Sequence, residues 1–481
     1  MPEYPSSDSS DLSDAQTMDA VALQRANRVQ EAIVAYKAAL DCNPDNAYAL
    51  SNYGGLLCSL GEFQTAKTLL ARAVSIKPDM PDAWSNFANV LFEMQDYSGA
   101  IEAYKNCLTL QPQHPLALSN LGVALDCQGR HALALNFHKA AIQLEPDNGQ
   151  SRTNYALSLL AQGDYVEGFK AYEWRWNSNI LGKHNLQGPV WDGKPFVGKT
   201  LLVHTEGGFG DMLHFVRFVP YAAERGGTVI VKVRKELLTL LQRSFPEQLF
   251  ITVDDSAPPH DLECSVGSLP YLLGTTLDTI PQADGYLVPD PDKVAMWKNR
   301  LDKDLFFMST APTLRIGLVW AGSPHREVRY VEFVDQRRSI NLQSMAPLAK
   351  VPNVLFYSLQ VGEKGIQAKT PPAGMKLVNH TNLLHDFDDT AALIANLDMV
   401  ISVDTSVVHL AAGLGKPVWM LSRFDQCWRW LSGRTDTPWY DHLRIYQQSQ
   451  PLDWDTPINK MLSDLVLLEK QTEKIKKQEI I

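Results

Sequence analysis

Prolines recur at 44, 78, 112 and 146, each 34 residues after the one before. A unit of that length cannot bury a hydrophobic face alone, so the period restricts the first third of the chain to a stacked repeat array. Small residues keep the same step at Ala32, Ala66, Ala100 and Ala134, and again at Ala39, Ala73, Cys107 and Ala141. Large ones follow at Tyr36, Leu70, Tyr104, His138 and Tyr172. Asn27, Gly61, Gln95, Gly129 and Gly163 fall where a helix must reverse. Each unit therefore reads as helices joined by a turn. Small residues allow close approach, large ones fill the gaps, and proline ends the second helix.

This pattern resembles the tetratricopeptide repeat and covers about residues 13–176, after a disordered 1–12. Asn52, Asn86, Asn120 and Asn154 share the sixth position of the first helix in their units. Stacking puts them in a row along the concave groove, where primary amides can bind an extended peptide backbone. The other reading is that they bond to neighbouring repeats or water. O-GlcNAc transferase is similar in carrying such an asparagine ladder ahead of its catalytic domain.

Composition narrows the classes. The 481 residues suggest about three structural units. Acidic residues outnumber basic ones, 54 to 44, for a net charge of -10, which disfavours a duplex nucleic-acid partner. No apolar run reaches the ~18–20 residues of a membrane span. The first twenty residues are acidic and serine-rich, unlike a signal peptide. Six scattered cysteines suggest neither a disulfide framework nor a zinc site, so reduced thiols and a cytoplasmic location are expected. Self-association is left open.

After Trp176 the period stops. Residues 177–199, rich in glycine, proline and polar residues, read as a linker. TLLVHTE (200–206) and TVIVKV (228–233) read as strands alternating with helices. A second run has strands at LRIGLVWAG (314–322), VLFYSLQ (354–360), MVISVD (399–404) and PVWML. Such alternation implies parallel, doubly wound sheets. The expected fold is an N-terminal α-solenoid followed by two Rossmann-like domains, 200–300 and 301–465, with a charged tail at 466–481. Two halves of this size resemble a GT-B glycosyltransferase, with a nucleotide-sugar site in the crevice between the halves.

Three segments carry chemistry. In Gly207-Gly208-Phe209-Gly210-Asp211, glycines permit close backbone approach and the helix start favours an anion. Asp211 is either a general base for an acceptor hydroxyl or a helix cap. His214, three residues on, shares its face and either borders an acceptor or packs. In SVDTSVVHLAAGLGKP, Asp404, Thr405 and Ser406 lie where a strand meets a helix, a place suited to a diphosphate, with Asp404 better matched to sugar hydroxyls. His409 is either a ligand there or a satisfied core histidine. In VWAGSPHREVRYVEFVDQRRSINL, the strand exit Trp320-Ala321-Gly322-Ser323 precedes Arg326, Arg329, Arg337 and Arg338. Interleaved Glu327, Glu332 and Asp335 allow a solvated loop, but Arg338 is the first candidate for a phosphate contact. Trp428, Trp430, Trp439 and Tyr440 are either core or a stacking lid.

GGFGDMLHFVRF, IGLVWAGSP, RRSI, YSLQVG, DFDDTAALIANLDMVISVDTSVVHLAAGLGKPVW and CWRWLSGRTDTPWY together resemble the glycosyltransferase family 9 (heptosyltransferase-like) region fused to tetratricopeptide repeats. The resemblance covers about 190–460. It implies that Asp211 is the base and that Asp404 contacts the donor sugar. The three segments and YSLQVG together give an expected donor site of Gly208, Gly210, Trp320, Gly322, Ser323, Arg338, Gln360, Asp404, Thr405, Ser406 and His409. The acceptor side would hold His214 and the four ladder asparagines. Heptosyltransferases carry lysine near the position of Arg338, a change in geometry rather than charge. The expectation is an inverting, metal-independent enzyme without a bound cofactor, using a nucleotide sugar as co-substrate. Its acceptor would be a protein segment presented by the repeats, in a plan similar to O-GlcNAc transferase. A saccharide or lipid-glycan acceptor and a non-catalytic scaffold are the alternatives.

Overall fold

The computed structural model describes residues 7–178, 186–281, 285–306, 314–324 and 329–479. The chain divides into two units, Met1–Ser158 with Asn177–Asn179, and Leu159–Trp176 with Ile180–Ile481.

The first unit is an α-solenoid. Helices Ser7–Arg25 and Val29–Cys42, Ala47–Ser59 and Phe63–Ile76, Pro81–Glu93 and Tyr97–Leu110, and Pro115–Cys127 and His131–Leu144 form successive antiparallel pairs. Gly149–Ala161 starts the next pair, which Tyr165–Tyr172 completes within the second unit. All eight of the periodic small residues from Ala32 to Ala141 are fully buried. The five expected reversal residues each adopt positive φ: Asn27 58°, Gly61 82°, Gln95 62°, Gly129 70° and Gly163 84°. Two of them pay the left-handed cost with a side chain in place.

The first helix begins at Ser7, so part of the stretch expected to be disordered is helical. Ser13 anchors that helix, donating to the Ala39 carbonyl at 2.7 Å and accepting from Asn46 Nδ2 at 2.9 Å. Polar composition hid a helix whose holding contacts are themselves polar.

The second unit contains two parallel sheets. Strands β1 (Thr200–His204), β2 (Thr228–Val233), β3 (Leu249–Thr252) and β4 (Leu262–Ser265) stand in the order β3-β2-β1-β4. Strands β5 (Leu314–Val319), β6 (Val354–Ser358), β7 (Leu377–Asn379), β8 (Met399–Val403), β9 (Val418–Ser422) and β10 (Leu443–Gln447) stand in the order β10-β9-β8-β5-β6-β7. Read from β7, the second sheet has the 3-2-1-4-5-6 order of a Rossmann fold, and the first sheet has its 3-2-1-4 part. The central strand β8 is buried at every residue, as a parallel sheet covered on both faces requires.

The stretch read as a linker is partly built into the first sheet. Val190 bridges Glu263 in parallel, Trp191 N–H donates to the Glu263 carbonyl at 2.9 Å, and Trp191 and Phe196 are buried. Two isolated aromatic residues in an aperiodic segment carry no pattern, yet they suffice to seat it. The boundary expected at 300 falls inside the helix Pro291–Phe306. The charged tail continues the helix Asp455–Glu479, whose Ile458, Met461 and Leu465 enter the core of the second sheet. No helix among the described residues is long and apolar enough to cross a membrane.

Candidate active site

Two strand-to-helix turns meet in the second unit. The first leaves β1 and enters the helix Phe209–Phe215, with Gly207 at φ 68°. The positive φ favours glycine at 207, and a Cβ there would push the Asp211 carboxylate aside. Asp211 Oδ2 accepts the Gly208 N–H at 2.8 Å, which makes it the back-reaching half of a capping box. The second turn leaves β8 and enters the helix Ser406–Gly413, with Thr405 extended at the cap and its hydroxyl 3.1 Å from that of Ser402. The helices touch at Gly210, where a Cβ would lie 3.0 Å from His409 Cδ2 and 3.4 Å from Ser406 Cα.

A short turn, Trp428–Trp430, joins these elements through two consecutive side chains. Arg429 Nη2 donates to Asp211 Oδ1 at 2.6 Å, and Trp430 Nε1 donates to Asp404 Oδ2 at 2.9 Å. The Arg429 guanidinium lies 4.6 Å over the Trp428 ring and 5.3 Å over Phe215. Burial opposes its charge, but Cys427 and Asp211 beside it hold its pKa above the ordinary value. Asp211 therefore caps its helix and forms an ion pair at the same time.

Below this turn lies a buried His–Tyr–His cluster. His409 Nδ1 is 2.8 Å and His214 Nδ1 3.2 Å from the Tyr440 hydroxyl, and His409 stacks on Trp430 at 5.3 Å. One hydroxyl proton serves only one ring, so the other must present Nδ1–H. Burial first, then Arg217 and Arg429, pushes both histidines well below their ordinary pKa and keeps them neutral. His214, expected beside an acceptor, is fully enclosed. Trp428, Trp430, Trp439 and Tyr440 are core residues, not a stacking lid.

The third segment is more self-contained. Gly322 N–H donates to Ser339 Oγ at 2.9 Å, and a Cβ on Gly322 would overlap Asp335. Arg338 pairs with Asp335, with Nε and Nη2 each 2.9 Å from Oδ1. Its charge is thus already shared with a carboxylate. Gln360 Oε1 accepts from Trp320 and Ala321 N–H at 3.0 and 2.8 Å, and Trp320 is fully buried. Both clamp the strand exit, while Ser323 is exposed. Arg326 and the side chain of Arg329 lie outside the described residues.

In the solenoid, the ladder amides are engaged between repeats. Asn86 Nδ2 donates to Ser51 Oγ at 3.4 Å, Asn120 Nδ2 to Asn89 Oδ1 at 3.1 Å, and Asn154 Nδ2 to Ser119 Oγ at 3.1 Å. Asn52 is half-buried. At least one donor of each of the other three serves repeat stacking, as the neighbour-bonding alternative anticipates.

Sequence reasoning passed over four charged residues. Arg429 stands in the CWRW segment, where only the tryptophans drew notice; an arginine between two buried aromatics was the available signal. Arg175 is fully buried and forks onto Glu206, with Nε to Oε1 at 2.7 Å and Nη2 to Oε2 at 2.8 Å. Glu263, also buried, accepts from His204 and His260 at 3.0 and 2.8 Å. Glu206 and Glu263 line a cavity of about 550 Å³ with Trp176, His204, Lys232 and Gly207. The cavity opens at the carboxyl ends of β1 and β4, where the strand order reverses, the usual location of ligands in such sheets.

Comparison with known proteins gives matches in both units. Residues 23–91 and 79–145 match tetratricopeptide repeat families, and residues 366–421 match glycosyltransferase family 9 (heptosyltransferase). That last segment holds Asp404, Thr405, Ser406 and His409 but not Asp211 or Arg338. Protein FlbA of Caulobacter vibrioides is 28% identical over 324 residues, 62% of this chain and 52% of FlbA. The chain thus spans about half the length of that curated relative. Among solved structures, MamA is 20% identical over 34% of this chain and 90% of its own, with a TM-score of 0.31. TTC0263, a tetratricopeptide repeat protein of Thermus thermophilus, is 19% identical over 34% and 90%, also with a TM-score of 0.31.

Proposed function

From a chain that carries tetratricopeptide repeats and a glycosyltransferase family 9 segment, we propose an inverting glycosyltransferase that uses a nucleotide-sugar donor. One observation carries the reading: consecutive residues Arg429 and Trp430 hold Asp211 and Asp404, so the two aspartates singled out in the sequence border one site. Asp211 would take the proton of an acceptor hydroxyl as its oxygen attacks the anomeric carbon. Asp404 would bind sugar hydroxyls, and the start of the Ser406–Gly413 helix would favour the departing diphosphate. Arg338 is a weaker phosphate ligand than its charge suggests, because Asp335 competes for it. No metal or bound cofactor enters this scheme.

The acceptor in this reading is a protein hydroxyl on a segment bound by the repeats, and the site of action is the cytoplasm. The polar cavity beside Gly207 favours a second reading, a saccharide acceptor, since its volume falls in the range of small-ligand sites. Incubating the full chain with a panel of nucleotide sugars and candidate acceptors, followed by intact-mass analysis, tests both. A mass increment on a protein supports the first reading, and one on a glycan the second. Transfer that survives in Asp211→Ala would remove Asp211 from the base role.

A further inference from the structure

We infer that Arg429 is a ligand for the donor diphosphate that is held in reserve on Asp211, so that donor arrival frees the base. The inference rests on the glycosyltransferase reading above. In the present arrangement Asp211 Oδ2 is occupied by the Gly208 N–H and Oδ1 by Arg429, leaving the carboxylate capped on both oxygens. Each oxygen keeps a second lone pair and the Asp211 side chain is 36% exposed, but an acceptor hydroxyl that approaches Oδ1 must share it with the guanidinium. Drawing the guanidinium away clears Oδ1 for the acceptor hydroxyl.

Arg429 is suited to leave. Its side chain is 11% exposed, and beyond the Trp428 and Phe215 rings it lies over, its hydrogen bonding other than to Asp211 is weak: Nη1 meets the Cys427 sulfur at 3.3 Å, and Nε is buried without a hydrogen-bond partner. A thiol is a poor acceptor, so most of the fork is unsatisfied. Neighbouring arginines are committed. Arg217 donates to the His214 and Trp439 carbonyls and to the Tyr286 hydroxyl, and Arg338 is paired with Asp335. The backbone carrying Arg429 is tethered to the donor-side turn through Trp430 and Asp404. A diphosphate offers several charged oxygens to a planar fork that now has one carboxylate oxygen.

The transfer then balances. The acceptor O–H gives its proton to Asp211, and its oxygen bonds the anomeric carbon. The bond from that carbon to the diphosphate oxygen breaks, and the nucleoside diphosphate leaves with the electron pair, its charge met by Arg429.

Calorimetric titration of the full chain with UDP, GDP, ADP and dTDP tests the inference. The nucleotide that binds wild type should bind Arg429→Met roughly tenfold to a hundredfold more weakly, the scale of one lost charged hydrogen bond, and Arg429→Lys at an intermediate level. Asp211→Asn should bind it several-fold more tightly, because no ion pair has to be broken. The gain should vanish in Asp211→Asn/Arg429→Met. Equal binding by wild type and Arg429→Met, or weaker binding by Asp211→Asn, overturns the inference while leaving the enzyme reading intact. Absence of binding by wild type to all four nucleotides overturns the reading itself. If the Arg429 variants do not fold, the Asp211→Asn titration decides alone.

Discussion

Arg175 and Glu206 form a two-pronged buried ion pair that joins the end of the last repeat to the residue preceding the Gly207 turn. Glu173 and Ser268 complete the network at 2.6 and 2.8 Å, and Ser265 hydrogen-bonds Glu206. Burial opposes the Arg175 charge, and Glu206 offsets this and raises its pKa. Removing one partner strands the other in a poorly solvated place. Arg175→Met should therefore cost about 3–5 kcal/mol in denaturant unfolding of the second unit, while the Arg175→Met/Glu206→Met pair should recover much of it. Equal losses in the single and double variants would show that the cost does not come from a stranded Glu206.

The buried histidines predict an acid limit. Both His214 and His409 have pKa values well below 6.5 in the folded chain, whereas the unfolded chain protonates them near that value. The unfolded state thus binds more protons below about pH 6.5, and stability must fall as pH drops from there toward the folded values. Each histidine contributes a slope of about 1.4 kcal/mol per pH unit. Unfolding midpoints measured from pH 8 to pH 5 should decline below 6.5, and His214→Gln should flatten that decline.

Gly322→Ala should displace Asp335, and with it the Arg338 ion pair, because the added methyl has no room. An overpacking cost of about 1–3 kcal/mol is expected, read as faster limited proteolysis of the second unit at residues 314–342. Gly362→Ala meets nothing within 4 Å but suffers the strain of φ 76°, so comparing the two variants separates steric from conformational cost.

The asparagine ladder has a measurable structural share. Asn120→Ala and Asn154→Ala should each lower the thermal stability of the solenoid by about 1 kcal/mol, since each amide bonds the preceding repeat. A residue used only to read a peptide would leave the melting temperature unchanged while weakening peptide binding.

The repeat period specified the solenoid down to its reversal residues. Asn27 and Gln95 could be aligned with glycines, and they share the glycines' positive φ, because every unit obeys the same packing geometry. The inner strands β1, β2, β5, β6, β8 and β9 were legible from their apolar runs. Short strands β3, β4, β7 and β10 were not, since three to five residues at a sheet margin carry little pattern. Trp191 and Phe196 escaped notice for a related reason: local periodicity reports burial on a regular face and is silent about an irregular segment.

What the sequence by itself determined was the repeat array, the alternation of strand and helix, and two turns bearing Asp211 and Asp404. What only the tertiary structure decided was how those turns are held. The Asp211–Arg429 bond joins residues 218 apart, and the Trp430–Asp404 bond fixes the second aspartate through the same short turn. Hydrogen bonds across that separation leave no mark on local composition or period. They exist because the helices that follow β1 and β8 pack against each other where Gly210 meets His409 and Ser406, a tertiary contact between two sheets that no local sequence sets.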